Sequence, residues 1–264
     1  MRSNPFPTLG LVLAVFATAG CPASAETGTV VGVVDGDTIK VSLEGRVRTV
    51  RLLGIDTPEP AREDRVAEPW ADRATAFTRT LVEGRTVELE TDPKADAEDK
   101  YGRALRYVFL PDGRLLNATI VAEGHGQVYT RFPCSRLAQL RQLERAARES
   151  GRGMWNPEGI TRIAPEDAAS SIGAIVTVCG LVASTRHAER SAGSPTFLNL
   201  GRPHPDQPLA VVIWGTVRNE FEKPEARYAD RRVCVTGRIR DYRGKPEIVV
   251  SDPSEITIDP PPRR

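Results

Sequence analysis

The stretch TGTVVGVVDGDTIKVSLEGRVRTVRLLGI, residues 27–55, limits the fold more than any other part of the chain. Apolar residues alternate or run together along it, and only "DGD" and "EGR" interrupt them. Runs of this kind split by tight Gly-containing turns predict three short antiparallel strands joined as a meander. "TVELE" and "RALRYVFL" read as two more strands flanking the loop "TDPKADAEDKYG". "EPWADRATAFTRTLVEG" places Trp70, Ala74, Phe77 and Leu81 at helical spacing and stops at Gly84. "RLLNATIVAEG" and "SRLAQLRQLERAARES" read as two further helices. In the second of these, Leu137, Leu140, Leu143 and Ala147 make the apolar stripe and the arginines are expected on a solvated face. "GMWNP" closes this first unit, with Trp155 on its core.

The chain has 264 residues, enough for two domains. Residues 26–156 form the first. Residues 157–171 have linker composition. Residues 172–258 carry five strand-like runs, with the helix-like "VRNEFEK" between the third and fourth, which suggests a small closed barrel of the OB type. A disordered tail is expected at 259–264. The fold class expected is mainly β with α (α+β): a helix-packed barrel followed by a second five-stranded barrel.

The first 25 residues combine Arg2, the apolar run "LGLVLAVFATAG" and the small-residue pattern "ASA". They read as a secretory signal, too short for a spanning helix, with the mature chain starting near Glu26. Lipid attachment at Cys21 is the alternative. Export places the cysteines in an oxidising compartment. Cys179 and Cys234 lie in strand-like runs, where they either pair or stay as buried thiols, and Cys134 is left over. No Cys/His spacing suggests zinc.

Lys+Arg of 36 nearly balances Asp+Glu of 35, so any nucleic-acid reading depends on local charge placement. That placement is concentrated in "VVDGDTIKV" and "RLLGIDTPE". Singly, Asp35-Gly36 is a hairpin signal and Asp56-Thr57-Pro58 a turn. Together, Asp37 and Asp56 on neighbouring strands would repel unless a hard cation with oxygen ligands lay between them. Arg51 shares their pocket, Glu59 follows a rigid Thr-Pro turn, and Arg103 precedes a later strand. A cation, two guanidiniums and a carboxylate suit phosphodiester cleavage.

"DGDTIKV", nine residues, then "RLLGIDTPE", together with "DKYGRALRYVF", resemble the two signatures of the thermonuclease (staphylococcal nuclease-like) family over roughly residues 27–156. Arg106 departs from them, standing where Gly or Ala is usual and expected on the barrel exterior. The tyrosines that some members place after the second helix are not clearly preserved in "QVYTRFPC". The resemblance implies a five-stranded OB-like barrel with helices packed on it. It implies Asp37 and Asp56 as Ca²⁺ ligands, with Thr57 ligating through its carbonyl. It implies Glu59 as general base, Arg51 and Arg103 as phosphate-binding and transition-state residues, and Lys100 and Tyr101 as nucleotide contacts. The activity implied is Ca²⁺-dependent cleavage of DNA and/or RNA, with little sequence preference, to 3′-phosphates.

"FLNLG" and "YRGKPEIVV" resemble small OB-fold nucleic-acid-binding modules. Phe197, Trp214 and Tyr242 are either stacking platforms beside Arg202, Arg238, Arg240, Arg243 and Lys245, or barrel core. Two rival functions are a nuclease-like fold that binds nucleic acid without cutting it, and a Ca²⁺-binding envelope protein. The first lacks a reason for the full set of charged positions. The second leaves Arg51 and Arg103 unexplained.

Overall fold

The computed structural model describes residues 26–63 and 66–259. The signal or lipidation segment lies outside them, as do residues 260–264 of the expected tail.

The meander forms as its turns dictate: β1 (Glu26–Asp35), β2 (Thr38–Leu43) and β3 (Arg46–Leu52) pair antiparallel in sequence. The first turn has two central residues, as the Asp-Gly signal indicates, but lies one residue further along. Asp35 pairs with Thr38, so Gly36 and Asp37 are its two central residues. A short β4 (Ile55–Asp56) follows, then β5 (Thr86–Glu90) and β6 (Ala104–Phe109). The barrel closes in the order β1-β2-β3-β6-β5, with β3 and β6 parallel. β7 (Gln127–Val128) pairs with β4 and holds the chain around Asp56.

Three helices pack on this barrel: α1 (Ala71–Val82), α2 (Leu116–Ala122) and α3 (Leu137–Glu149). Ile39, Val41, Leu52, Leu89, Val108 and Ile120 are among its buried core. Trp155 is buried as expected. Arg106 is buried rather than solvent-facing, its Nη1 donating to the carbonyls of Ala97 and Leu105 at 2.9 Å each. Backbone carbonyls thus take up one end of an arginine that stands where a small residue is usual, while its Nε is buried without a partner.

The second barrel contains β9 (Ile175–His187), β10 (Thr196–Leu200), β11 (Leu209–Ile213), β12 (Arg232–Tyr242) and β13 (Lys245–Val250), closed by pairing of β12 with β9. Preceding it, β8 (Thr161–Ile163) joins β9 in parallel, and Pro165–Ser171 forms a 3₁₀ segment against the sheet. The residues of linker composition are thus built onto the barrel. The helix-like run between the third and fourth strands is a 3₁₀ turn, Arg218–Phe221, followed by α4 (Pro224–Arg227). β14 (Ile256–Ile258) ends the fold along β12. Cys179 and Cys234 face each other across β9 and β12 and form a disulfide, while Cys134 is a buried free thiol. The barrel core is aliphatic plus Phe221 and Tyr228. Phe197 and Trp214 sit half-buried outside it, and Tyr242 is exposed.

The arginine face of α3 is an interface, not a solvated surface. Arg141 Nε donates to the Ser251 carbonyl at 2.6 Å, and Arg141 also pairs with Asp252 and Glu220. Arg145 pairs with Asp252. Arg148 bridges Glu144 at 2.8 Å and Glu255 at 2.9 Å, and donates to the Thr236 carbonyl. Buried guanidiniums need such partners, and acids of the second barrel supply them.

Burial first, and then the neighbouring Glu144 charge, push the Glu255 carboxyl up to about 7 against the pull of Arg148. Its ordinary value is 4.5. The folded chain therefore holds a proton there that the unfolded chain releases. The stability this contributes is complete below about pH 4.5 and is lost as pH rises through about 7. Glu255→Gln is expected to remove that part of the pH slope, on the order of 3 kcal/mol. Urea unfolding of both proteins at pH 4.5, 6 and 7.5 measures it. Parallel pH profiles would contradict it.

Asn117, fully buried on α2, donates to the Leu53 carbonyl at 2.9 Å and accepts from the Val108 amide at 3.0 Å. Asn117→Ala orphans both groups and is expected to cost about 2 kcal/mol, read as a lower urea midpoint. An unchanged midpoint would show that the bend at Leu53 is held by other contacts.

Candidate active site

The site is assembled where the first hairpin turn meets the short strand β4. Gly36 permits this approach: a Cβ there would lie 2.7 Å from the Thr57 hydroxyl. Thr78 of α1 donates to the Gly36 carbonyl at 2.6 Å and fixes the turn from below. Asp37 then reaches Thr57, its Oδ2 accepting from the Thr57 amide at 2.8 Å and hydroxyl at 3.1 Å.

Arg51, from the end of β3, unites the cluster. Its Nη1 lies 3.0 Å from Asp37 Oδ1 and donates to the Ile55 carbonyl at 2.9 Å. Its Nη2 lies 3.2 Å from Asp56 Oδ1. Burial works against the Arg51 charge, but Asp37 and Asp56 outweigh it and raise its pKa. Asp35 contacts the same turn by accepting from the Asp37 amide. Burial and the Asp37 charge push the Asp35 carboxyl up to about 7.

Four of the expected positions, Asp37, Arg51, Asp56 and Thr57, are thus in mutual contact. Glu59 is half-buried nearby. Its carboxylate pairs with Arg62 at 2.8 Å, and its charge acts on Arg51. Glu68 holds the Glu59 backbone, accepting from its amide at 2.9 Å and donating an amide back to its carbonyl. Arg103 stands at the start of β6, next to the Val50–Ala104 pair, and is held by Asp99 at 2.7 Å. Lys100 and Arg103 lie 4.8 Å and 5.5 Å from the exposed Tyr101 ring. Lys100, Tyr101 and Arg103 form one patch on the loop before β6.

Two further members come from the second barrel, and the sequence patterns around Asp56 do not announce them. Arg238 and Arg240 of β12 both reach Asp56 Oδ2, Arg240 at 2.5 Å, and Arg238 also binds Glu68 at 2.6 Å. Burial opposes ionisation of Asp56, yet Arg240, Arg238 and Arg51 together hold its carboxyl below the ordinary range. The oxygen-only chemistry of Asp37, Asp56 and the Thr57 carbonyl suits a hard cation. As arranged, each carboxylate oxygen of the pair already has a protein partner. Asp37 is taken up by Thr38, Arg51 and Thr57, and Asp56 by three guanidiniums. Among the described residues, no group of three or more His, Cys, Asp or Glu is placed to hold a metal.

Comparison with known proteins gives the same positions a lineage. The family model described as "Staphylococcal nuclease homologue" matches residues 49–157. The chain is 38% identical to the SPbeta prophage-derived endonuclease YokF of Bacillus subtilis over 48% of its own length, and it spans 43% of that relative. It is 36% identical to endonuclease YncB of the same organism over 53% of its length and 69% of the relative's. It is 29% identical to the thermonuclease of Staphylococcus hyicus over 59% of its length and 85% of the relative's. The barrel with its packed helices, the Asp37–Arg51–Asp56–Thr57 cluster and these relatives agree: the chain belongs to the staphylococcal nuclease homologue family.

Proposed function

We propose that this protein is an exported Ca²⁺-dependent nuclease that cleaves DNA and/or RNA, with little sequence preference, to 3′-phosphate products. The observation that carries the reading is the Arg51 guanidinium bound between Asp37 and Asp56 beside Thr57. Family membership points to metal dependence in general. That the metal is Ca²⁺, held by Asp37, Asp56 and the Thr57 carbonyl, belongs to the proposal. A cation held there would supply positive charge against the phosphate oxygens.

The chain's own residues supply the rest. Arg51 is fixed by two carboxylates and two backbone carbonyls, so its charge is oriented before substrate arrives. It binds the phosphodiester and stabilises the charge that builds on its non-bridging oxygens. Arg103 adds a second guanidinium from β6, with Lys100 and Tyr101 contacting the strand beside it. Glu59 accepts the proton of the attacking water, and Glu68 holds the Glu59 backbone in place. The second barrel helps to hold single strands, through exposed Tyr242 with Arg243 at 5.4 Å from its ring.

The disulfide between Cys179 and Cys234 supports residence in an oxidising compartment. Among the described residues, no helix is long and apolar enough to cross a membrane.

The test is cleavage of single-stranded DNA by residues 26–264, with Ca²⁺ and with excess chelator, beside Glu59→Gln. The expected result is Ca²⁺-dependent cleavage that falls at least about 100-fold in the variant. Binding without cleavage in every sample would identify a nucleic-acid holder instead. A second prediction concerns Arg51→Lys, which keeps the charge but loses the planar fork. It is expected to lower kcat at least about tenfold, with stability reduced as well, since Asp37 and Asp56 lose a shared partner.

A further inference from the structure

The second barrel places two arginines on a carboxylate that the first barrel needs for other chemistry. Arg238 is 3% exposed and spans Asp56 and Glu68, while Arg240 lies beside it on the same Asp56 oxygen. A divalent cation bound to Asp56 would sit against these two positive charges, at the Oδ2 oxygen that both already occupy. Cation and arginine pair therefore exclude each other. A second observation bears on what moves them. The Nε atoms of both arginines are buried without a hydrogen-bond partner, so each guanidinium keeps one donor unspent. The Nε–Nη edge is the edge that grips a phosphate with two parallel bonds.

We propose that Arg238 and Arg240 form a latch: closed on Asp56, they keep a divalent cation out of the site, and a phosphodiester backbone that takes over their guanidiniums releases Asp56 to the cation. The proposal rests on the nuclease reading for the identity of the strand, but not for the competition at Asp56. Nucleic acid and cation then bind with positive coupling, and each must tighten the other by the same factor.

The experiment is calorimetric titration of Ca²⁺ into residues 26–264 and into Arg240→Gln, with Arg238→Gln/Arg240→Gln as the stronger variant and Arg232→Gln, which pairs with Asp259 at the other end of β12, as a control outside the cluster. The expected result is at least tenfold tighter Ca²⁺ binding in Arg240→Gln, more in the double variant, and no change in Arg232→Gln. Arg240→Gln leaves the Arg238–Glu68 pair in place, so it decides the question even where the double variant fails to fold, which a thermal melt shows. Equal or weaker Ca²⁺ binding in Arg240→Gln, or none in any protein, overturns the latch. Tighter binding with no cleavage by any form leaves the latch standing and removes the nuclease reading.

Discussion

Arg51 is the interaction on which the site depends. One guanidinium contacts two carboxylates and two carbonyls, drawn from the β1–β2 turn, the end of β3 and β4. Without it, Asp37 and Asp56 would lose the one cation they share, and Asp56 would be left to Arg240 and Arg238 of the second barrel. Asp35, in the same turn, has no such contact, and burial and then the Asp37 charge push its carboxyl up to about 7.

The same economy governs the contact between the barrels. α3 directs Arg141, Arg145 and Arg148 at the second barrel, and β12 directs Arg238 and Arg240 back at the first. The two sets differ in how completely they are satisfied. Arg148 has carboxylates, a carbonyl and the Trp155 ring 3.6 Å away. Arg238 and Arg240 each leave a buried donor unmatched. The α3 side has the character of a permanent joint, the β12 side that of a contact able to change partners.

The strands of both barrels were legible because alternation and Gly-containing turns act over a few residues. Asp37, Arg51, Asp56 and Thr57 were legible as a group for the same reason, since one meander carries them all. The arginines of α3 were misread as solvated because a helical pattern shows which residues share a face, not what that face meets. Arg238 and Arg240 appeared as companions of surface aromatics because their partner, Asp56, lies more than 180 residues away in sequence and no local period connects them. Phe197 and Trp214 stay out of the core because aliphatic residues with Phe221 and Tyr228 already fill it.

The disulfide has a mechanical consequence. It ties β12 to β9 at Cys234 and Cys179, four residues before Arg238 on the same strand. β12 is thereby pinned to its sheet at this point, beside its ladder with β9 from Arg232 to Arg238. The backbone that carries Arg238 and Arg240 is thus fixed, and a change of partner at Asp56 falls to the two side chains rather than to the strand.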